Sequence, residues 1–123
     1  MRLKKLDRAM TVCKVPTMEE ALTDGNFLFI GRTDRELSVV CETAHVPKAT
    51  LERDDGWLGF RIEGQLDFSL IGVLARISKV LAEASIGIFV VSTFDTDYIL
   101  VKAANFERAV EALTDAGYSF IEG

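Results

Sequence analysis

The sequence predicts an α+β fold made of two tandem ferredoxin-like units, each with an antiparallel sheet and the order βαββαβ, the first of them degenerate. Three observations carry this. SLIGVLARISKVLAEAS (69–85) repeats its apolar residues at helical spacing. IGIFVVSTFDTDYILVKA (86–103) reads as two apolar strands joined by a short polar turn. NFLFIGRTDRELSVVCE (26–42) also lies over GIFVVSTFDTDYILVKA (87–103) at a constant offset of 61 with no gap.

Along the chain, MTVCKV (10–15) predicts a strand and TMEEALTDG (17–25) a short helix. The hairpin of 26–42 follows. In the overlay Asp34 falls on Asp95, Glu36 on Asp97, and Val39-Val40 on Leu100-Val101. After it, TAHVPKAT (43–50) stands where a second helix is due, and Pro47 leaves room for one turn at most. LERDDG (51–56) is polar and ends in glycine, which suits a turn or boundary. The expected domains are therefore 1–55, the degenerate repeat, and 56–123. GWLGFRIEG (56–64) has strand character and offers a long strand serving both halves. In the helix over 69–85, Leu70, Leu74, Ile77, Leu81 and Ala84 form the apolar stripe, with Arg76, Lys79 and Glu83 opposite. Asn105 is expected to cap a last helix carrying Phe106, Ala109, Val110 and Leu113, which Gly117 stops before the strand YSFIEG (118–123).

Composition narrows the function. The 123 residues are 49% hydrophobic, enough for a core without disulfides or metals. A net charge of −5 and a pI near 4.9 argue against nucleic acid as partner. The apolar runs are shorter than the roughly 20 residues that span a bilayer, and nothing after MRLKKLDRAM resembles a signal-peptide core. A cytoplasmic location without membrane attachment is expected. Cys13 and Cys41 are isolated and sit in apolar runs, as reduced buried thiols do. His45, the one histidine, has no nucleophile or acid pair nearby in the sequence. No spacing of metal ligands and no phosphate-binding loop is present. The expectation is a protein that is not an enzyme and needs no metal and no cofactor.

Two segments remain as candidates for function. In EGQLDFSLIGVL (63–74), Asp67 or Ser69 can cap the helix, and a helix N-terminus suits a carboxylate. An ordinary N-cap is the competing reading. Gly72 in a first helical turn costs about 1 kcal/mol against alanine, so close packing or room for a ligand should compensate. In STFDTDYILV (92–101), Asp95 and Asp97 serve either a plain turn or a ligand with a cationic end.

These residues, LDFSLIGVLARISKVLAEASIGIFVVSTFDTDYILV (66–101), resemble the ACT-domain superfamily. They are most similar to small bacterial proteins of two tandem ACT-like repeats and, in this region, to the cytosolic arginine sensors. FLFIGRTDRELSVVCE (27–42) with HVP (45–47) extends the resemblance to the first half. It implies an amino-acid-binding regulatory module, a homodimer, with the ligand at an interface. By the same resemblance the ligand contacts are Asp67, Phe68, Ser69, Leu70, Ile71 and Gly72 in one loop. Ser92, Thr93, Phe94 and Asp97 supply the other side, Asp97 meeting a cationic group. The protein it regulates is not implied. A ligand-free interaction module of the same fold is the alternative.

Overall fold

The computed structural model describes residues 1–63 and 72–123. It contains β1 (Arg2–Lys14), α1 (Met18–Ala21), β2 (Leu28–Arg32), β3 (Leu37–Glu42), β4 (Glu52–Ile62), α2 (Val73–Glu83), β5 (Phe89–Ser92), β6 (Asp97–Lys102), α3 (Phe106–Asp115) and β7 (Ser119–Ile121). Two compact units result: Arg8–Trp57, here the first, and Leu58–Gly123 joined by Met1–Asp7, here the second. Residues 1–7 thus belong with the later part of the chain.

In the second unit the strand order is β7-β1-β4-β6-β5. Phe60 and Ile62 of β4 and Ile99 and Val101 of β6 are two residues apart, so each pair faces one side. There they meet Val73, Ile77 and Leu81 of α2, Ala109 and Leu113 of α3, and Leu3 of β1. The Phe60 and Phe120 rings add an edge-to-face contact at 5.5 Å. On the other side, Leu6 and Leu100 close over Gly59, the position where a Cβ would strike them.

The expected strand at 10–15 in fact begins at Arg2. Its start was hidden because Leu3 and Leu6 are buried on opposite faces, which erases the alternation of a half-buried strand. β7 pairs with it in parallel, Leu3 opposite Phe120. Lys5 then reaches Glu122 at 2.8 Å.

The helix ends follow local chemistry. Gly72 takes φ 81 and its carbonyl accepts from the Arg76 N–H at 2.9 Å, so it precedes α2 rather than lying in a first turn. Its glycine is explained by the left-handed backbone, with no helical penalty to offset. Asn105 does not cap α3 with its side chain. It ends a 3₁₀ turn (Ala103–Asn105), and its Oδ1 accepts from Arg108 Nη2 at 3.2 Å. After α3, Gly117 at φ 102 allows Tyr118 N–H to reach Leu113 O and Gly117 N–H to reach Thr114 O. Ser85 does the same after α2 at φ 61, with Ile86 N–H on Leu81 O and Ser85 N–H on Ala82 O.

The first unit has the order β2-β3-β1-β4. Cys13, Val15, Ala21, Val39 and Cys41 form its core, with Met18, Leu28, Ile30, Leu37 and Val46 packed around them. Thr17 caps α1 by accepting from Glu20 N–H at 3.3 Å. After β3 comes one 3₁₀ turn (Thr43–His45) and no helix before β4. A polar network lies on this part of the sheet. Thr11, fully buried, donates to Asp55 Oδ1 at 2.6 Å and shares a hydrogen bond with Thr43 Oγ1 at 2.8 Å. Arg53 grips the same carboxylate through Nε and Nη2. Residues 52–56 are therefore strand and not the expected turn, because their charged side chains are paired in place.

The two hairpins have one geometry, but at an offset of 60. Arg32 pairs with Leu37 and Ser92 with Asp97, leaving four residues in each turn. Thr33 N–H reaches Glu36 O at 3.0 Å, and Thr93 N–H reaches Thr96 O at 2.9 Å. A positive φ precedes both, at Gly25 and Ser85, and a 3₁₀ turn follows both. The overlay at 61 matched apolar blocks and turn acids, and strand runs of this composition tolerate such a slip. The observed register replaces it: Asp34 corresponds to Phe94, Glu36 to Thr96, and Leu37 to Asp97.

Two stability effects test these readings. Ser85→Gly should raise stability by about 1 kcal/mol, the left-handed cost of a side chain, and Gly117→Ala should lower it similarly in chemical denaturation. Thr11→Val should cost about 1–3 kcal/mol by leaving Asp55 and Thr43 short of a partner.

Candidate ligand-binding site

The β5–β6 turn brings Ser92, Thr93, Phe94 and Asp97 together. Thr93 closes it: its N–H and hydroxyl both donate to Thr96 O, and its Oγ1 takes the Thr96 N–H. Thr96 is buried and its hydroxyl donates to Ile62 O at 3.0 Å, tying the turn to the end of β4. The side chain that organises the turn is thus threonine, while Asp95 is exposed.

Asp97 is the first residue of β6. By strand alternation it shares the helix side with Ile99 and Val101. Its Oδ1 accepts from the Ser92 hydroxyl, and its other oxygen makes no hydrogen bond or ion pair with a described residue. Phe94, on the same turn, is 80% exposed. Gly72 lies at the start of α2, and Arg76 Nη1 stands 3.2 Å from where its Cβ would be. Asp67, Phe68, Ser69, Leu70 and Ile71 lie outside the described residues.

The register exposes an inversion. Where the first unit packs Leu37 against its core, the second places the Asp97 carboxylate. Where the first unit exposes Asp34, the second exposes the ring of Phe94. The turn is polar where its counterpart is apolar and the reverse. The overlay at 61 concealed this by setting Asp97 on Glu36.

Other reactive groups are accounted for by structure. Glu42, buried, takes Arg8 Nε at 3.1 Å, Asn26 N–H at 3.3 Å and His45 Nε2 at 3.5 Å. Cys13 and Cys41 are free thiols in the core, and burial pushes Cys41 up to about 11. No group of three His, Cys, Asp or Glu among the described residues can hold a metal ion. None of the described helices is long and apolar enough to cross a membrane. A groove lined by Lys14, Glu36, Ser38 and Glu52 in the first unit was not anticipated, since its residues come from three strands and a turn.

The ACT-domain family model matches residues 52–115, from β4 through α3 and thus over half the chain. The chain belongs to the ACT-domain family. Among solved structures, this ACT protein is similar to Atu0741 from Agrobacterium tumefaciens, with 33% identity and a TM-score of 0.88, over 99% of this chain and 92% of that one. The regulatory subunit of aspartate kinase from Thermus thermophilus shares the fold at 11% identity and TM-score 0.61, over 94% and 96%. The aspartate kinase of Clostridium acetobutylicum does so at 14% identity and TM-score 0.64, over 93% of this chain and 33% of that one. A search of the curated proteins found no match.

The thiols supply a pH prediction. The folded chain holds the Cys41 proton up to about pH 11, whereas the unfolded chain releases it near 9.0. Stability should therefore be indifferent to this group below pH 9 and fall as pH rises from 9 to 11. Both thiols should resist alkylation at pH 8 in the native protein and react once it is unfolded. Rapid native-state labelling would show that these strands open.

Proposed function

We propose that this ACT-domain protein is a non-catalytic regulatory module that binds an amino acid. Its contacts are Ser92, Thr93, Phe94 and Asp97 on the β5–β6 turn and Asp67, Phe68, Ser69, Leu70, Ile71 and Gly72 before α2. The observation that carries this is the carboxylate of Asp97 at a position where the matching hairpin packs the half-buried Leu37 against its core. Ser92 orients one of its oxygens, and the exposed Phe94 ring offers a surface for an aliphatic chain or a cation. The preferred ligand class is a basic amino acid, in keeping with the resemblance to arginine sensors. The shared geometry of the two hairpins supports a tandem duplication whose first copy lost its last helix. The protein acts in the cytoplasm as a homodimer in which a second copy covers Phe94.

A second reading rests on that same ring. At 80% exposure Phe94 also suits a ligand-free module that docks another protein.

The substitution Asp97→Leu, which installs the residue of the matching hairpin, separates these readings. It should raise the melting temperature while abolishing the shift produced by a basic amino acid. Asp97→Ala should weaken that ligand about tenfold to a hundredfold, the loss of one charged hydrogen bond. A protein that shows no thermal shift with any amino acid, before or after substitution, belongs to the second reading.

A further inference from the structure

The first unit carries a groove that the proposed amino-acid site does not use. Its volume is about 350 Å³, within the range of small-molecule sites. Val12, Lys14, Glu36, Ser38, Glu52 and Asp54 line it. Cys13 between them points into the core beneath α1, so Val12 and Lys14 occupy the opposite face. Ser38 is the register partner of Lys14, and its small side chain leaves the floor open.

Charge indicates what this groove accepts. The lining has three carboxylates, Glu36, Glu52 and Asp54, against the cations Lys14 and Arg53. Arg53 is committed to Asp55, with bonds of 3.0–3.2 Å from two of its nitrogens. Lys14 Nζ is 3.7 Å from Glu52 Oε2, a loose pair that a better-placed cation can replace. The Glu36 carboxylate forms no ion pair with a described residue. Glu36 thus leaves the groove with a carboxylate that no ion pair with a described residue offsets, beside an aliphatic floor supplied by Val12.

We infer that this groove is a second binding site, for a small primary ammonium ligand with a short aliphatic body. The ammonium meets Glu36 and Glu52 in place of Lys14, and the hydrocarbon lies along Val12. The inference does not depend on Asp97.

The charges give substitutions of opposite sign. In a titration of the full-length, ¹⁵N-labelled protein with n-butylammonium chloride, the amides of Val12, Lys14 and Ser38 should shift saturably. Sodium butyrate should leave them in place. Glu36→Gln should weaken n-butylammonium about two- to fivefold, the effect of one exposed ion pair, and Lys14→Met should tighten it by a similar factor. Asp97→Ala should change neither. Non-saturable shifts, an equal response to butyrate, or a loss of binding on both Glu36→Gln and Lys14→Met would overturn the assignment.

Discussion

The register of each hairpin is the constraint on which the rest depends. A threonine at the start of a four-residue turn, Thr33 in one unit and Thr93 in the other, closes the chain on the residue three further on. That fixes which residues of β3 and β6 face their helices, because a slip of one would send the whole apolar set to the other face. With the register held, Val39 and Cys41 in one unit and Ile99 and Val101 in the other enter the core. The same constraint places Asp97 on the helix side at the rim, where an unpaired apolar residue would be the ordinary choice.

Much of the fold was legible because its signals are local. Helical spacing at Leu74, Ile77 and Leu81 found α2, and the apolar runs around 30 and 90 found both hairpins. Gly117 marks a stop in the sequence and serves as one in the fold, a left-handed residue after α3. What escaped depends on distant partners. The start of β1 buries both faces, so it shows no alternation. Arg53 and Asp55 looked like a turn because their strand is made tolerable by Thr11 and Thr43, far away in sequence. Asn105 has a good capping side chain, but the preceding 3₁₀ turn gives it helical backbone and Arg108 takes its oxygen.

The sequence nominates candidate residues on the β5–β6 turn without showing how they are arranged. The motif STFDTD drew attention through its acids, yet Thr93 builds the turn and Asp97 stands beside it. Only the hydrogen-bonded register shows that Asp97 occupies a leucine's place and Phe94 an aspartate's. A pattern match between apolar strands is insensitive to one residue, and one residue is the difference between two turn acids and a carboxylate at a core rim.

Chemical-shift mapping of the labelled protein against basic amino acids would show whether the β5–β6 turn recognises a ligand. One of them is expected to shift the amides of Ser92, Thr93, Phe94 and Asp97 together, with the side-chain signals of Phe94. Saturating binding that leaves this turn unmoved would contradict it, since the inverted polarity of the β5–β6 turn would then have no part in recognising a ligand.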